Sequence, residues 1–295
     1  MNKKMKSVWI DNIEIIMAGG LINMASIAPE CYEDITDPES LMQEFKKTNG
    51  NMDIFTFGQR LPEIKPKFNY YMEWTSVAAI PIKSFDYWFK KQIDKDTRKN
   101  VNRANKKGVI TKAVIFDDDF VKGILDIYNE TPIRQGKPFW HYKKDFDTIK
   151  KEHSTYLDRS EYIGAYFKEE LIGFILMFYS EKCASTMQVI SKIDHRDKKP
   201  TNALIAKAVE ICDKKRIQYL QYGVWSEGTL GDFKRHNGFE KILIPQYYIP
   251  LTNKGNLAIT MRLHHGISGI LPDNVKNFMI DLRSKWYSRK SSKTQ

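Results

Sequence analysis

The sequence predicts a mixed α/β (α+β) fold in which a largely antiparallel sheet is flanked by helices, and three stretches carry that prediction. EYIGAYFK, LIGFILMFYS and CASTMQVISKI, from Glu161 to Ile193, are strand-like runs separated only by KEE and Glu-Lys turns, the pattern of an antiparallel meander. Its central run is apolar nearly throughout, so both faces of that strand should be covered. TNALIAKAVEICDKKR, from Thr201, then sets Leu204, Ile205, Ala208, Ile211 and Cys212 on one helical face. Finally YGVWSEGTLGDFKRHNGFE, from Tyr222 to Glu240, reads as a strand, a glycine-marked loop and a short helix stopped at Asn237-Gly238, where a left-handed residue releases the next strand.

The chain upstream is built from the same kinds of element. Residues 8–27 alternate apolar and polar in two pieces around Gly19-Gly20, which predicts a hairpin. SLMQEFKK is a short amphipathic helix, DIFTFGQ a buried strand, and Tyr70 to Ile82 a strand closed by Pro81. Ser84 to Lys107 reads as one long helix with Lys95, Lys99, Arg103 and Lys106 on one face, a cationic stripe suited to phosphates. Residues 1–107 thus form a partial α/β unit ending in a basic helix.

A second domain is expected over residues 108–265. GVITKAVIF is its first strand, and the next helix presents Phe120, Ile124, Ile127 and Tyr128 on one face before Pro132 stops it. PIRQGKPFWHY follows as a stiff loop displaying Arg134, Gln135, Trp140, His141 and Tyr142, a combination of cationic and aromatic groups common in binding elements. Residues 266–295 are expected to carry a last helix, with Val275, Phe278, Met279, Leu282 and Trp286 on one face and a basic end.

Composition narrows the partners. Lys and Arg number 47 against 36 Asp and Glu, a net charge of +11, which suits a phosphorylated cofactor, a nucleic acid or peripheral contact with an anionic membrane. Cys31, Cys183 and Cys212 are widely spaced, with no CxxC and no histidine pair beside them, so neither a disulfide framework nor a zinc site is expected. Asp11 and Glu14 interrupt the first apolar run, and no window reaches the ~18 uncharged apolar residues of a membrane span. A cytoplasmic location is therefore expected. There is no G-x-S-x-G elbow, P-loop or dinucleotide fingerprint.

RKNVNRANKKGV, TPIRQGKPFWHY, KPTNALIAKAVE and YGVWSEGTLGDFKRHNGFE together resemble the GNAT acyltransferase superfamily, and more narrowly its Fem-like branch. The resemblance implies a GNAT-like sheet preceded by a partial GNAT-like unit, and it implies an acyltransferase. Ordinary GNAT members move acetyl from acetyl-CoA to an amine, whereas Fem enzymes move amino acids from aminoacyl-tRNA to peptidoglycan precursors. The first expectation is therefore transfer from acyl-CoA, acetyl-CoA foremost, to an amine of a sugar or peptide. An aminoacyl-tRNA-dependent transferase is the alternative, and a non-catalytic binding protein on the same fold is a third reading.

One departure from the family pattern bears on the donor. Where GNAT members carry a glycine-containing pyrophosphate loop, this chain has Arg196 to Ala203 without a glycine, and Pro200 lacks an N–H. The resemblance places the donor carbonyl near Gln188 and Ile190, the anionic part of the donor at Arg196, Lys199 and Asn202, and further donor contacts at Lys234 and Asn237. Acyl transfer needs a proton source and a base. Tyr222, Tyr247 or Tyr248 are the candidate acids, and His141 or Glu227 the candidate bases. Arg134, Gln135, Trp140, Tyr142, Trp225 and Glu227 are the candidate acceptor contacts, and no metal is expected.

Overall fold

A computed structural model describes residues 6–28, 34–48 and 51–265; Cys31 and the helix and basic tail expected over 266–295 lie outside the described residues. In chain order the elements are β1 (Lys6–Ile10), β2 (Ile13–Ala18), β3 (Met24–Ile27), α1 (Pro38–Thr48), β4 (Ile54–Gly58), β5 (Tyr71–Pro81), α2 (Phe85–Tyr87), a π-helical turn (Trp88–Gln92), α3 (Lys95–Lys106), β6 (Ile110–Val114) and α4 (Asp118–Asn129). There follow β7 (Ile133–Arg134), β8 (Lys137–Pro138), α5 (Phe146–His153), β9 (Ser160–Phe167), β10 (Glu170–Ser180), β11 (Cys183–Ser191), α6 (Pro200–Lys214), β12 (Tyr219–Val224), α7 (Gly228–His236), β13 (Glu240–Pro250) and α8 (Asn253–Thr260). Two compact units share these elements, one formed by the chain up to Trp74 together with the chain from Pro245, the other by Thr75–Ile244.

In the first unit the strand order is β1-β2-β3-β4-β13. The expected hairpin is a three-stranded meander: a second turn, at Asp11-Asn12, joins β1 to β2 with Ile10 opposite Ile13, while Gly19-Gly20 lies in the β2–β3 connection. Asp11 takes φ 51°, a left-handed value that a short polar side chain tolerates. α1 turns Leu41, Met42 and Phe45 onto Ile15, Phe55 and Tyr247, which together make this unit's core. Tyr247 is fully buried there, its hydroxyl donating to Gln59 Oε1 at 2.9 Å and accepting from the Lys67 amide at 2.8 Å.

In the second unit the strand order is β5-β12-β11-β10-β9-β6, antiparallel throughout except for the parallel pair β11–β12. The expected meander is β9, β10 and β11. β10 is buried on both faces: Ile172, Ile175 and Met177 pack with α3 and α6, and Leu171, Phe174 and Leu176 pack with α4 and α5. A register shift at Leu171/Gly173 lets neighbouring residues change faces along the strand.

Residues 84–107 are not one helix. The chain breaks at Ile93, which turns into the core, and Asp94 is extended (φ −69°, ψ 167°) so that its carboxylate accepts from the Thr97 amide and caps α3. α3 then buries Thr97, Val101 and Ala104 and packs on α6, leaving Lys95, Lys99, Arg103 and Lys106 exposed. Because of that packing α3 lies inside the second compact unit.

Candidate active site

The centre of the candidate site is a place where two strands separate. β11 and β12 pair in parallel only over Cys183–Ser185 against Tyr219–Gln221. β12 then bulges against β5: Gln221 faces Ala79 and Val224 faces Val77, so Tyr222 and Gly223 occupy the space of one partner. Gly223 adopts φ 57°, which makes the bulge available without side-chain strain. The Trp225 amide rejoins β5 by donating to Ser76 O at 3.0 Å.

α7 supplies the wall beside this bulge. Gly231 lets the helix approach the preceding loop, since a Cβ there would stand 2.0 Å from the Ser226 carbonyl oxygen. Lys234, on the buried side of α7, is only 3% exposed. Its ammonium donates to Val224 O at 2.7 Å and lies 4.8 Å from the centre of the Tyr222 ring. No carboxylate pairs with it among the described residues, and desolvation lowers its pKa. Burial likewise raises the Tyr222 pKa, so that hydroxyl keeps its proton at neutral pH. Asn237 is buried at the end of α7, where Nδ2 donates to Phe233 O and Oδ1 accepts from Asn202 at 3.2 Å. Its carbonyl accepts from Trp88 Nε1 at 3.0 Å. Asn202 and Asn237 thereby tie α6 to α7, a positioning role. Glu227 is exposed, and it accepts from Trp225 Nε1 at 3.1 Å.

Across the gap, Gln188 of β11 belongs to a buried polar chain. The Tyr128 hydroxyl donates to Gln188 Oε1 at 2.7 Å, so its oxygen is left to accept from His153 Nε2 at 2.9 Å. Gln188 Nε2 in turn donates to His141 Nε2, also at 2.9 Å. The direction of each bond follows from the one before it, which makes His153 the Nε2–H tautomer and His141 the Nδ1–H tautomer. Burial holds both imidazoles neutral, His141 at a pKa of about 3 and His153 at about 4, and pushes the Tyr128 pKa up. His141 is thus neutral as a base must be, but its Nε2 lone pair is engaged by Gln188 and its Nδ1 is buried without a partner among the described residues. Ile190 lies two residues along β11 and packs on the α4 core.

The PIRQGKPFWHY segment is a small hairpin, β7–β8, rather than an irregular loop. Gln135 and Gly136 take φ 53° and 72°, the pair of positive values that a two-residue turn of this hand requires. Gln135 is exposed at its tip. Arg134 points inward, donating to Ser191 O at 2.8 Å, Ile127 O at 3.1 Å and Glu130 Oε2 at 2.9 Å, while Glu130 also accepts from the Ile193 and Asp194 amides. This Arg–Glu pair fastens the hairpin and α4 to the end of β11. Trp140 is 73% exposed, its ring centre 3.8 Å from that of His141 and tilted by 39°, with Lys144 Nζ 4.0 Å from the Trp140 ring centre, and Tyr142 is half-buried beside Lys143.

At the start of α6, Arg196 lies in a single 3-10 turn and Lys199 takes φ 58° as the residue before Pro200. Pro200 is the first helical residue, where its missing N–H costs no helix bond. Asp197 draws in Lys107 at 2.6 Å and Lys198 at 3.3 Å, and the Lys107 ammonium holds its carboxyl down at a pKa of about 2. Tyr248 stands elsewhere, in the first unit, between Tyr71 and His264, with its pKa raised by burial to about 12.

Nothing in the sequence marks Tyr128, His153 or Glu130 as site residues. Tyr128 was legible only as an apolar-face residue, and no local signal marks a hydroxyl that bonds to another strand. An open cavity of 550 Å³ lies among Lys112, Asp117, Lys122, Asp126, Tyr166 and Glu169, and no candidate residue lines it.

No protein-family model and no curated protein matches the chain. Solved structures do. A structure of FemX superposes with a TM-score of 0.59 at 10% identity, over 87% of this chain and 90% of that one. The fold is similar to that of FemX. The structure of L-PGS from Bacillus licheniformis gives a TM-score of 0.55 at 15% identity, over 88% of this chain and 87% of that one. The C-terminal domain of a putative lysylphosphatidylglycerol synthetase from Agrobacterium fabrum gives 0.54 at 12% identity, over 88% of each chain. At such identities the Fem-like likeness is one of fold.

Proposed function

We propose that the chain is an acyltransferase whose donor carbonyl lies in the gap between β11 and β12. The observation that carries this is the parting of the two strands after Ser185 and Gln221, with a proton-bearing tyrosine and a buried ammonium on one side of it. A strand edge that leaves its neighbour supplies N–H groups, around Gln188 to Ser191, to polarise a carbonyl. Tyr222, protonated at neutral pH, donates to the leaving thiolate or alkoxide, and the Lys234 ammonium steadies the charge developing beside it. Glu227, exposed at the mouth of the loop, accepts the proton of the amine, and Trp140, Tyr142 and Gln135 contact the acceptor. Acyl-CoA, acetyl-CoA first, is the donor on this reading, its phosphates met by Arg196 and Lys199.

A second donor is favoured by one feature, the glycine-free entry to α6. Aminoacyl-tRNA brings its own phosphate chain to the exposed Lys95, Lys99, Arg103 and Lys106 and needs no pyrophosphate cradle. The likeness to the C-terminal domain of a putative lysylphosphatidylglycerol synthetase agrees with an aminoacyl donor.

Calorimetry with acetyl-CoA and other thioesters, alongside gel retardation of tRNA at rising salt, tests both. Saturable thioester binding abolished in Tyr222→Phe/Lys234→Met supports the first donor, and salt-sensitive tRNA retardation supports the second. Binding of neither overturns the transferase reading.

A further inference from the structure

In the first compact unit, apart from everything above, three metal-ligating side chains meet. Glu73 projects from β5, and His264 and His265 follow one another in the turn after α8. Glu73 Oε1 is 3.3 Å from His264 Nε2, and Glu73 Oε2 is 2.6 Å from His265 Nε2. All three ligand atoms lie within 4.8 Å of one another. We propose that Glu73, His264 and His265 form a binding site for one divalent transition-metal ion of the zinc class, independent of the transferase site.

The donor set is the first reason. Two imidazoles and one carboxylate suit zinc and its neighbours rather than calcium or magnesium, which prefer oxygen. Spacing is the second. Bonds of about 2.0–2.1 Å arranged tetrahedrally set ligand atoms about 3.4 Å apart, close to the His264–Glu73 separation, while the His265 contact is a hydrogen bond that must open by under an ångström. The third is convergence: the two rings lie 4.1 Å apart and the His264 side chain is wholly buried, so both Nε2 atoms are held beside the one carboxylate. His264 Nδ1 is buried without a partner among the described residues, so Nε2, the nitrogen turned to Glu73, is the one that ligates. The Tyr71 hydroxyl donates to Glu73 Oε1 at 2.9 Å and orients the carboxylate from outside. An ion here clips the turn after α8 to β5, a structural role that leaves coordination positions for water.

The test is a titration of the tag-free, chelator-treated chain with Zn²⁺ against a chromophoric competitor, repeated with Co²⁺ to read visible d–d absorption. The expected result is one equivalent bound in the micromolar range or tighter, a rise in melting temperature with Zn²⁺, and a Co²⁺ spectrum showing histidine ligation. Glu73→Gln and His265→Ala should each weaken binding by at least about tenfold. His265 is partly exposed, so His265→Ala should keep its fold, and circular dichroism checks that it does. Wild-type protein that takes up no Zn²⁺ at micromolar concentration, or folded variants that bind as tightly as wild type, would overturn the proposal.

Discussion

Lys234 reaches back from α7 to donate its ammonium hydrogen to the Val224 carbonyl at 2.7 Å, bridging the helix to the end of the strand that precedes it. A buried ammonium that has, among the described residues, one carbonyl partner and no carboxylate is a poor stabilising device, because desolvation opposes its charge.

Lys234→Met therefore separates function from stability. It keeps the length of the side chain and removes the charge, so the urea midpoint should hold or rise by about 1 kcal/mol equivalent. Acyl transfer should fall by at least about tenfold if the ammonium faces developing charge. A variant that loses stability and keeps activity would assign Lys234 to the scaffold.

Tyr128→Phe tests the buried polar chain. The substitution leaves His153 Nε2–H without its acceptor and Gln188 Oε1 without its donor, with no change in packing volume to compensate. An unmade hydrogen bond in the interior costs about 1–3 kcal/mol, which equilibrium denaturation should resolve. A cost near zero would mean that water replaces the hydroxyl.

The same chain sets a pH dependence. His141 and His153 have folded pKa values of about 3 and about 4, below the ordinary histidine value, because burial excludes the charged form. As pH falls below about 6.5 the unfolded chain takes up these protons first, so their contribution is whole above that pH and drains away toward the folded values. Denaturation midpoints should fall between about pH 7 and pH 5, and His153→Gln should flatten that fall. An equal slope in wild type and variant would remove His153 from the account.

Two glycines should respond very differently to a methyl group. Gly231→Ala brings Cβ against the Ser226 carbonyl at 2.0 Å, a backbone obstacle that cannot rotate away, so a loss of about 2 kcal/mol or more is expected. Gly136→Ala meets nothing within 4 Å and costs only the strain of its φ of 72°, about 1 kcal/mol. Thermal melts of the two variants give the ranking directly.

Much of the second unit was legible because its signals are local. The meander, the α6 core stripe and the Tyr222–Glu240 strand–loop–helix all lie where periodicity and glycine placed them. Other elements were harder to read. The break at Ile93-Asp94 hid inside a continuous helical pattern, because Asp94 is as plausible on a helix surface as in a cap. The Gln135-Gly136 turn lay in a segment too short to show strand alternation.

Sequence by itself thus determined the class of fold, the meander and the strand–loop–helix order from Tyr222 to Glu240, since each depends on residues a few positions apart. Tertiary structure alone decided that Gln188 links Tyr128 to His141, across 60 and 47 residues of chain, and that Glu73 meets His264 across 191. It also decided that Lys234 is buried beside a ring rather than displayed on a helix surface. Side-chain hydrogen bonds are made between whichever elements packing brings together, and a periodic pattern records which face is buried but not what that face touches.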